Sequence, residues 1–301
     1  MSHMVFTPLP CDSLKEKWGC MDWKTKAEKL KFEDGLSWTE VAKELKDEFP
    51  DLDLVQVKQK INRALRYTDA YKNRNENKPI GVFSDIHAPF DHPNFPYFLR
   101  DTFKKYGVGE IVCLGDIFDS HAISNHPPEP CALGAYSETD LAIQHLRVYT
   151  ELFPNVMYVK GNHDERIERQ AAKVNIGKRY LKDIHEILEL PNTWVCMGYE
   201  FIRDDVIYSH GVNCGGKNGA INKAMADRMS CCIGHSHAFG GVQTQANKRD
   251  RIFGMNVGCG INEDAYAFAY GKNSKYKSTL GCGIVLNREQ ALFVPMGREY
   301  L

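Results

Sequence analysis

Short apolar runs alternate with amphipathic stretches along the second and longer part of the chain. Mostly apolar runs, each followed by a polar loop, predict buried strands at 80–83, 110–114, 156–159, 206–208 and 231–233. Apolar residues at helical spacing predict helices between them, at 140–152 and 218–229. Alternating strands and helices predict an α/β fold, in which ligands bind at the carboxyl ends of the strands.

The tail from residue 251 is rich in glycine and in residues that favour strands. Its apolar runs at 252–257, 283–286 and 291–294 predict further strands. We expect these strands to complete a second sheet.

The first part of the chain has a helical pattern instead. Residues 24–32 predict one helix, Ser37 or Thr39 caps a second, and a third follows. A polar stretch then predicts a linker. The expected organisation is a trihelical domain at 22–67, a linker at 68–78 and a second domain at 79–301.

Composition gives no indication of a polyanion-binding, disulfide-rich or membrane-spanning protein. Lys and Arg number 38 against 39 Asp and Glu, so the whole chain has no charge excess that would attract a polyanion. The ten cysteines form no CxxC pair, and several lie in apolar runs, which favours reduced thiols in a cytoplasmic protein. No run approaches the ~20 apolar residues of a membrane span.

Five segments at the predicted strand ends carry metal-ligand chemistry. They are Ser84-Asp85-Ile86-His87, Gly115-Asp116-Ile117-Phe118-Asp119, Gly161-Asn162-His163-Asp164, Ser209-His210-Gly211 and Gly234-His235-Ser236-His237. Their carboxylate, imidazole and amide groups suit divalent cations. Two such ions about 3.5–4 Å apart can hold an attacking oxygen and a phosphoryl oxygen together. A carboxylate can bridge them, and Asp116 is the candidate because it lies centrally in the series.

The ordered set D-x-H, G-D-x-x-D, G-N-H-D, H-G and G-H-x-H resembles the calcineurin-like metallophosphoesterases over residues 79–301. The resemblance implies a four-layer α/β/β/α sandwich of two mixed sheets, with the small all-α domain in front. It implies two divalent ions, manganese preferred, with Fe, Zn, Ni or Mg as alternatives. The implied metal ligands are Asp85, His87, Asp116 and His237 for the first ion, and Asp116, Asn162, His210 and His235 for the second.

The same resemblance assigns His163 as a general acid, which would protonate the leaving oxygen, and Asp119 as the residue that orients it. Asp164 is expected to organise its loop. Arg166 is either a phosphate contact or part of an ordinary charged helix surface. His121 either lines the substrate entrance or lies on a solvated loop.

Two departures distinguish branches of the family. The Ser/Thr phosphatase branch has Arg-Gly after the second motif and Glu after Asn-His, where this chain has Ser120-His121 and Asp164. The missing arginine removes a bidentate phosphate clamp. We therefore expect a metal-dependent phosphodiesterase or nuclease. The alternatives are a phosphomonoesterase acting on nucleotides or phosphoproteins, and a nucleic-acid-binding scaffold with a vestigial metal site.

The trihelical segment resembles a helix-turn-helix module, notably at residues 35–42. Its third helix is basic, with Lys58, Lys60, Arg63 and Arg66 as candidate contacts to DNA or RNA. Small trihelical units also serve in packing or dimerisation, and both interpretations stay open. The sequence indicates no membrane partner and leaves the oligomeric state open.

Overall fold

The computed structural model describes residues 22–34, 36–65, 78–125, 132–248, 250–265, 267 and 275–301. The chain divides into two compact units, Met1–Glu76 and Asn77–Leu301. Of the predicted linker, residues 68–77 lie outside the described residues.

The secondary-structure elements in the described part of the first unit are all helical. Its helices are α1 (Trp23–Glu28, continued by a π-helical turn at Lys29–Glu33), α2 (Trp38–Glu44, followed by a 3-10 turn at Lys46–Glu48) and α3 (Leu54–Leu65). Ser37 rather than Thr39 caps α2, and it forms a reciprocal capping box with Glu40. The helices share a core of Ala27, Leu30, Val41, Ala42, Leu45, Phe49, Val57 and Ile61.

The second unit contains two mixed sheets in its described part. The strands of the first are β1 (Ile80–Phe83), β2 (Glu110–Cys113), β3 (Val156–Tyr158), β4 (Trp194–Cys196), β10 (Gly281–Asn287) and β11 (Gln290–Pro295), in the order β11-β10-β1-β2-β3-β4. Strands β1 to β4 are parallel, and β10 and β11 are antiparallel.

The strands of the second sheet are β5 (Glu200–Arg203), β6 (Val206–Ser209), β7 (Ser230–Ile233), β8 (Gly240–Ala246) and β9 (Arg251–Val257). Their order in the sheet is β5-β6-β7-β9-β8. Strands β6, β7 and β9 are parallel neighbours. Both sheets therefore carry parallel strands whose carboxyl ends are followed by the sequence motifs.

The remaining helices are α4 (Phe95–Tyr106), α5 (Ala135–Leu152), α6 (Arg166–Lys173), α7 (Ile184–Ile187) and α8 (Gly219–Asp227). None of the helices in the described part of the chain has the length and apolar content needed to cross a bilayer.

The side chains of the strands alternate between two apolar layers. In β1, Val82 belongs to a cluster that joins the two sheets, whereas Phe83 packs with α4 and α5 on the outer face. In β7, Cys232 faces the other sheet, and Cys231 and Ile233 pack against α8. The layers are thus helix, sheet, sheet and helix, which confirms the predicted α/β/β/α sandwich.

Parts of the strand assignment from sequence are wrong. The runs at 283–286 and 291–294 belong to β10 and β11 of the first sheet, because β10 pairs antiparallel to β1 with Ile80 opposite Val285. Only the run at 252–257 joins the second sheet, as β9. Strand β8 has no apolar run, since most of its residues are exposed, and β4 has only three residues.

Helix α5 begins at Ala135 rather than near residue 140. The first three residues of this helix are exposed, whereas Glu138 is buried and its carboxylate accepts hydrogen bonds from the backbone N–H groups of His121 and Ala122. Further along α5, His145 Nδ1 lies 2.7 Å from Asp91 Oδ1, and Tyr149 donates to Asp91 Oδ2 at 3.1 Å. These bonds tie the helix to the chain that follows β1.

The pair of His145 and Asp91 predicts a pH-dependent stability. The hydrogen bond to Asp91 raises the pKa of His145, so this contribution is complete below the unfolded value of about 6.5 and is lost as pH rises through the folded pKa. We expect His145→Gln to lower the free energy of unfolding by about 1 kcal/mol at pH 5.5 and by less at pH 9, measured by urea denaturation. Arg147→Gln, an exposed change on α5, is the control. A pH-independent loss would contradict the prediction.

Candidate metal centre

The motif loops of both sheets meet at one place. Asp85 and His87 follow β1, Asp116 follows β2, and His210 and His235 follow β6 and β7. Ligand-type atoms within 4.8 Å of one another form three overlapping groups, which are Asp85, His87 and His237; His87, Asp116 and His163; and Asp116, His210 and His235. The sequence motifs therefore converge, as we expected from their positions at strand ends.

Several of these loop residues have left-handed backbone conformations. The φ angles are 53° at Asp85, 53° at His87, 49° at Asp116 and 65° at His235. Each such non-glycine residue costs of order 1–3 kcal/mol. Backbone hydrogen bonds between loops hold the geometry, since Asp85 N–H donates to Gly115 O at 3.0 Å and His87 N–H donates to Asp116 O at 2.9 Å.

The first donor group surrounds one point. His237 Nε2 lies 3.1 Å from Asp85 Oδ1 and 3.1 Å from His87 Nε2. The distance from His87 Nε2 to Asp85 Oδ1 is 3.7 Å. Donor atoms about 3–3.5 Å apart are what bonds of about 2.1 Å to one ion would give.

The second donor group has similar spacing. His210 Nε2 lies 3.1 Å from Asp116 Oδ2, 3.0 Å from Asn162 Oδ1 and 3.3 Å from His235 Nδ1. It contains one carboxylate, one amide oxygen and two imidazole nitrogens, which is a suitable set for a divalent ion.

Asp116 belongs to both groups. Its Oδ2 atom is 3.1 Å from His210 Nε2 and 3.6 Å from His87 Nε2. Its other oxygen, Oδ1, accepts a hydrogen bond from the backbone N–H of His163 at 2.7 Å. The carboxylate is thereby fixed with one oxygen directed between the two groups.

Hydrogen bonds at the far side of the rings orient two imidazoles. His210 Nδ1 donates to Leu114 O at 2.8 Å, and His87 Nδ1 lies 2.6 Å from Asp119 Oδ1. Both Nε2 atoms are therefore left to face the donor groups. This arrangement is typical of histidines that bind metals.

The ionisable groups of the site are buried close together, so each one shifts the pKa of its neighbours. Burial alone would raise the pKa of Asp85, but His210, His237 and His87 hold it well below its usual range. Burial alone would lower the pKa of His87, but Asp119 and Asp85 raise it to about 10.

A divalent cation fits these residues. Burial, and to a smaller extent the positive charge of His210, lowers the pKa of His235, so its ring is neutral and can bind a cation. His87 Nε2 and His237 Nε2 face each other and the same carboxylate oxygen, so each contact needs a proton or a cation between its atoms. A cation would replace the protons that the imidazoles otherwise hold against the carboxylates.

His163 lies beside the metal ligands and contacts the predicted partner. Its Nδ1 is 3.0 Å from Asp119 Oδ1 and donates to Asp119 O at 2.8 Å. Asp119 also contacts His87, which the sequence did not indicate. One carboxylate therefore orients both a ligand-type histidine and His163.

Arg166 does not lie on an ordinary charged helix surface, and its role as a phosphate contact stays a prediction. Its Nη1 donates to the carbonyl oxygens of Asp119 and Ser120, at 2.9 and 3.0 Å, and its Nη2 lies 3.0 Å from His163 Nε2. An arginine only donates, so His163 Nε2 accepts this bond and the ring is neutral in this arrangement.

The other predicted residues have structural contacts. Asp164 is buried and accepts hydrogen bonds from the N–H groups of Ile117, Phe118 and Gly161, which confirms that it organises the loops. His121 is buried, with Nδ1 3.6 Å from Asp119 Oδ2, so the solvated-loop alternative is wrong. Its role towards substrate stays a prediction.

Comparison with known proteins finds a matching family model and several similar solved structures. Residues 78–227 match the family model described as calcineurin-like phosphoesterase. Among solved structures, the E. coli phosphoesterase YfcE is 17% identical, with 73% of this chain and 100% of that chain covered and a TM-score of 0.34.

Two further similar structures are of Vps29. A single mutant from Entamoeba histolytica is 12% identical, with 73% of this chain and 99% of that chain covered and a TM-score of 0.35. The protein from Cryptosporidium parvum is 9% identical, with 73% and 96% covered and a TM-score of 0.37. No curated protein matches this chain.

The chain therefore carries a calcineurin-like phosphoesterase domain at residues 78–227. This match ends before His235 and His237, which the structure brings to the same centre. The domain indicates a hydrolase of phosphate esters.

Gly161 provides a test of the loop packing. A Cβ atom there would overlap Asp116 Oδ1 and the Asp116 backbone nitrogen. We expect Gly161→Ala to displace the carboxylate and to weaken manganese binding by tenfold or more, measured by isothermal titration calorimetry. Gly177→Ala is the matched control, because a Cβ at Gly177 meets nothing within 4 Å. Unchanged manganese affinity in Gly161→Ala would show that this contact does not shape the site.

Proposed function

We propose that this chain is a phosphodiesterase that uses two divalent cations, manganese preferred, and that its substrates include nucleic acid. The observation that carries the proposal is the position of Asp116 Oδ2 between two groups of donor atoms. Two ions that share one carboxylate are the arrangement that phosphoryl-transfer hydrolases use for in-line attack on phosphorus.

Each ligand has a defined place in this proposal. Asp85, His87 and His237 would hold one ion with Asp116, and Asn162, His210 and His235 would hold the other with the same aspartate. When bound, the ions would activate water and neutralise charge on the phosphoryl oxygens. The protein supplies fixed donors on rigid strand ends, so little reorganisation is needed during the reaction.

His163 would act as the general acid towards the leaving oxygen. Its Nδ1 is committed to Asp119, so the proton for the leaving group has to be on Nε2. Arg166 Nη2 now donates to that nitrogen. The acid role therefore requires Arg166 to exchange His163 for another acceptor, and a substrate phosphate oxygen is a stronger acceptor because it is charged.

The absence of an arginine clamp from the motifs supports a diester substrate. A phosphate monoester carries about two negative charges at neutral pH, and bidentate arginine suits such a group. Here Ser120 and His121 follow the second motif, where the Ser/Thr phosphatase branch has Arg-Gly. A singly charged diester needs less compensation beyond the ions themselves.

A role for the trihelical unit in nucleic-acid binding remains part of the proposal. Lys58 Nζ lies 3.2 Å from Thr39 Oγ1, and Lys60 Nζ lies 4.5 Å from the centre of the Phe49 ring. Both lysines would have to leave these contacts to reach a phosphate. The side chain of Arg63 and all of Arg66 lie outside the described part of the chain. The support is therefore the local positive charge of the segment.

Asp116→Asn tests the shared ligand. We expect manganese-dependent hydrolysis of bis(p-nitrophenyl) phosphate to fall by about 10³-fold, because an amide has no negative charge to share between two ions and its NH2 group cannot accept the hydrogen bond from the His163 N–H. The measurement is kcat/KM together with the manganese content of the purified variant. Asp140→Asn, an exposed change on α5, is the control. Full activity with two bound ions would remove Asp116 from the mechanism.

His163→Ala tests the proton donor through the leaving group. We expect a loss of about 10²–10⁴-fold for a thymidine dinucleotide, whose leaving alcohol needs a proton, and a much smaller loss for bis(p-nitrophenyl) phosphate. The measurement is the ratio of kcat/KM for the two substrates. Equal losses on both substrates would assign His163 to positioning instead. A strong preference of the wild-type protein for monoesters would replace the diesterase proposal.

A further inference from the structure

A cavity of about 200 Å³ lies directly beside the metal centre. Its lining residues are Asn125, Arg166, Arg169, Gln170 and Lys173. Arg166 joins the cavity to the centre through its contact with His163. Arg169 adds a second link, since it donates to the carbonyl oxygen of Asn162.

The three cationic residues of the cavity share one face of α6. Their spacing of three and then four residues places Arg166, Arg169 and Lys173 above one another along the helix. The rise from Arg166 to Lys173 is about 10 Å along the axis. The cations therefore form a row that begins at His163 and leads away from the metal ligands.

Arg169 and Lys173, the outer residues of this row, donate hydrogen bonds to neutral oxygen atoms and not to carboxylates. Lys173 Nζ donates to Asn125 Oδ1 at 2.8 Å, and Arg169 donates to a backbone carbonyl. The acidic residue of α6, Glu168, pairs instead with Lys160 at 3.5 Å and with Lys178 at 2.9 Å. Within the described residues, no carboxylate forms an ion pair with Arg169 or Lys173.

The segment around the cavity is strongly basic. Between residues 166 and 182 the positive residues are Arg166, Arg169, Lys173, Lys178, Arg179 and Lys182, and the only acidic residue in this sequence range is Glu168. Such local excess attracts anions even though the whole chain is close to neutral.

We infer that this cavity binds a second phosphate of the substrate, next to the phosphate that is hydrolysed. The inference rests on the proposed function, because it needs a phosphoester at the metal centre. Guanidinium and ammonium groups bind phosphate through charge-assisted hydrogen bonds, and a phosphate would replace the neutral acceptors that Arg169 and Lys173 now have. The second phosphate is either the neighbouring one of a nucleic-acid strand or the terminal one of a nucleotide polyphosphate.

The test compares three ligands on the manganese-loaded, full-length protein by isothermal titration calorimetry. Thymidine 5′-monophosphate has one phosphate, thymidine 3′,5′-bisphosphate represents the strand, and thymidine 5′-diphosphate represents the polyphosphate. We expect one two-phosphate ligand to bind at least tenfold more tightly than the monophosphate. Lys173→Ala should reduce that ratio by about tenfold, whereas Lys178→Ala, at an exposed residue that pairs with Glu168 and does not line the cavity, should leave it unchanged.

The outcomes separate the sources and the hypotheses. If Lys173→Ala removes the preference for the bisphosphate over the monophosphate, the cavity binds a neighbouring phosphate of a strand. If it removes the preference for the diphosphate, the cavity binds the terminal phosphate of a nucleotide polyphosphate. Equal affinity for all three ligands, or a ratio that Lys173→Ala does not change, would overturn the inference. If the protein does not hydrolyse diesters with manganese but still binds a two-phosphate ligand more tightly than the monophosphate through Lys173, the proposed reaction is contradicted. The assignment of the cavity is then still supported.

Discussion

The convergence of buried ionisable groups on the carboxylate of Asp116 determines how the second unit is built. Three carboxylates, Asp85, Asp116 and Asp119, are buried together, and like charges at such distances repel strongly when water is excluded. Backbone N–H groups stabilise two of them, since His163 N–H donates to Asp116 and His235 N–H donates to Asp85, and positive charge in the same small volume stabilises them further. The imidazoles supply it as protons when no ion is present, and a pair of divalent cations could supply it instead. Either source of positive charge depends on the motif loops of both sheets, which bring these side chains together.

Local strain and close backbone approach follow from that requirement. The motif loops have to bring side chains from both sheets to one point. Several residues in these loops therefore adopt left-handed backbone conformations. Glycines stand where a side chain would collide with the carboxylates, as at Gly161 next to Asp116 and at Gly234 next to Asp85. The rigid sandwich beneath the loops compensates the cost, because its apolar layers fix the strand ends. Strain of this kind is concentrated at functional sites in many proteins.

Much of this architecture could be predicted from sequence because its signals are local. Buried parallel strands are short apolar runs, and metal ligands at their ends are recognisable by residue type and order. Other features depend on partners distant in sequence. Strands β10 and β11 have no local signal for which sheet they join, and β8 is too exposed to show an apolar run. Likewise, nothing near Asp119 in the sequence reveals that His87 is its second partner, and the carbonyl of Leu114 that orients His210 is a backbone atom.

Arg166 contacts both His163 at the metal centre and the basic cavity beside it. Its guanidinium donates to His163 Nε2, which keeps that histidine neutral, and the same side chain begins the cationic row on α6. A phosphate that attracts Arg166 would release His163 Nε2 from its present donor and leave this nitrogen free to face the leaving oxygen. The contact of Nδ1 with Asp119 would hold the ring in place during this exchange. Substrate binding would then also make the proposed general acid accessible.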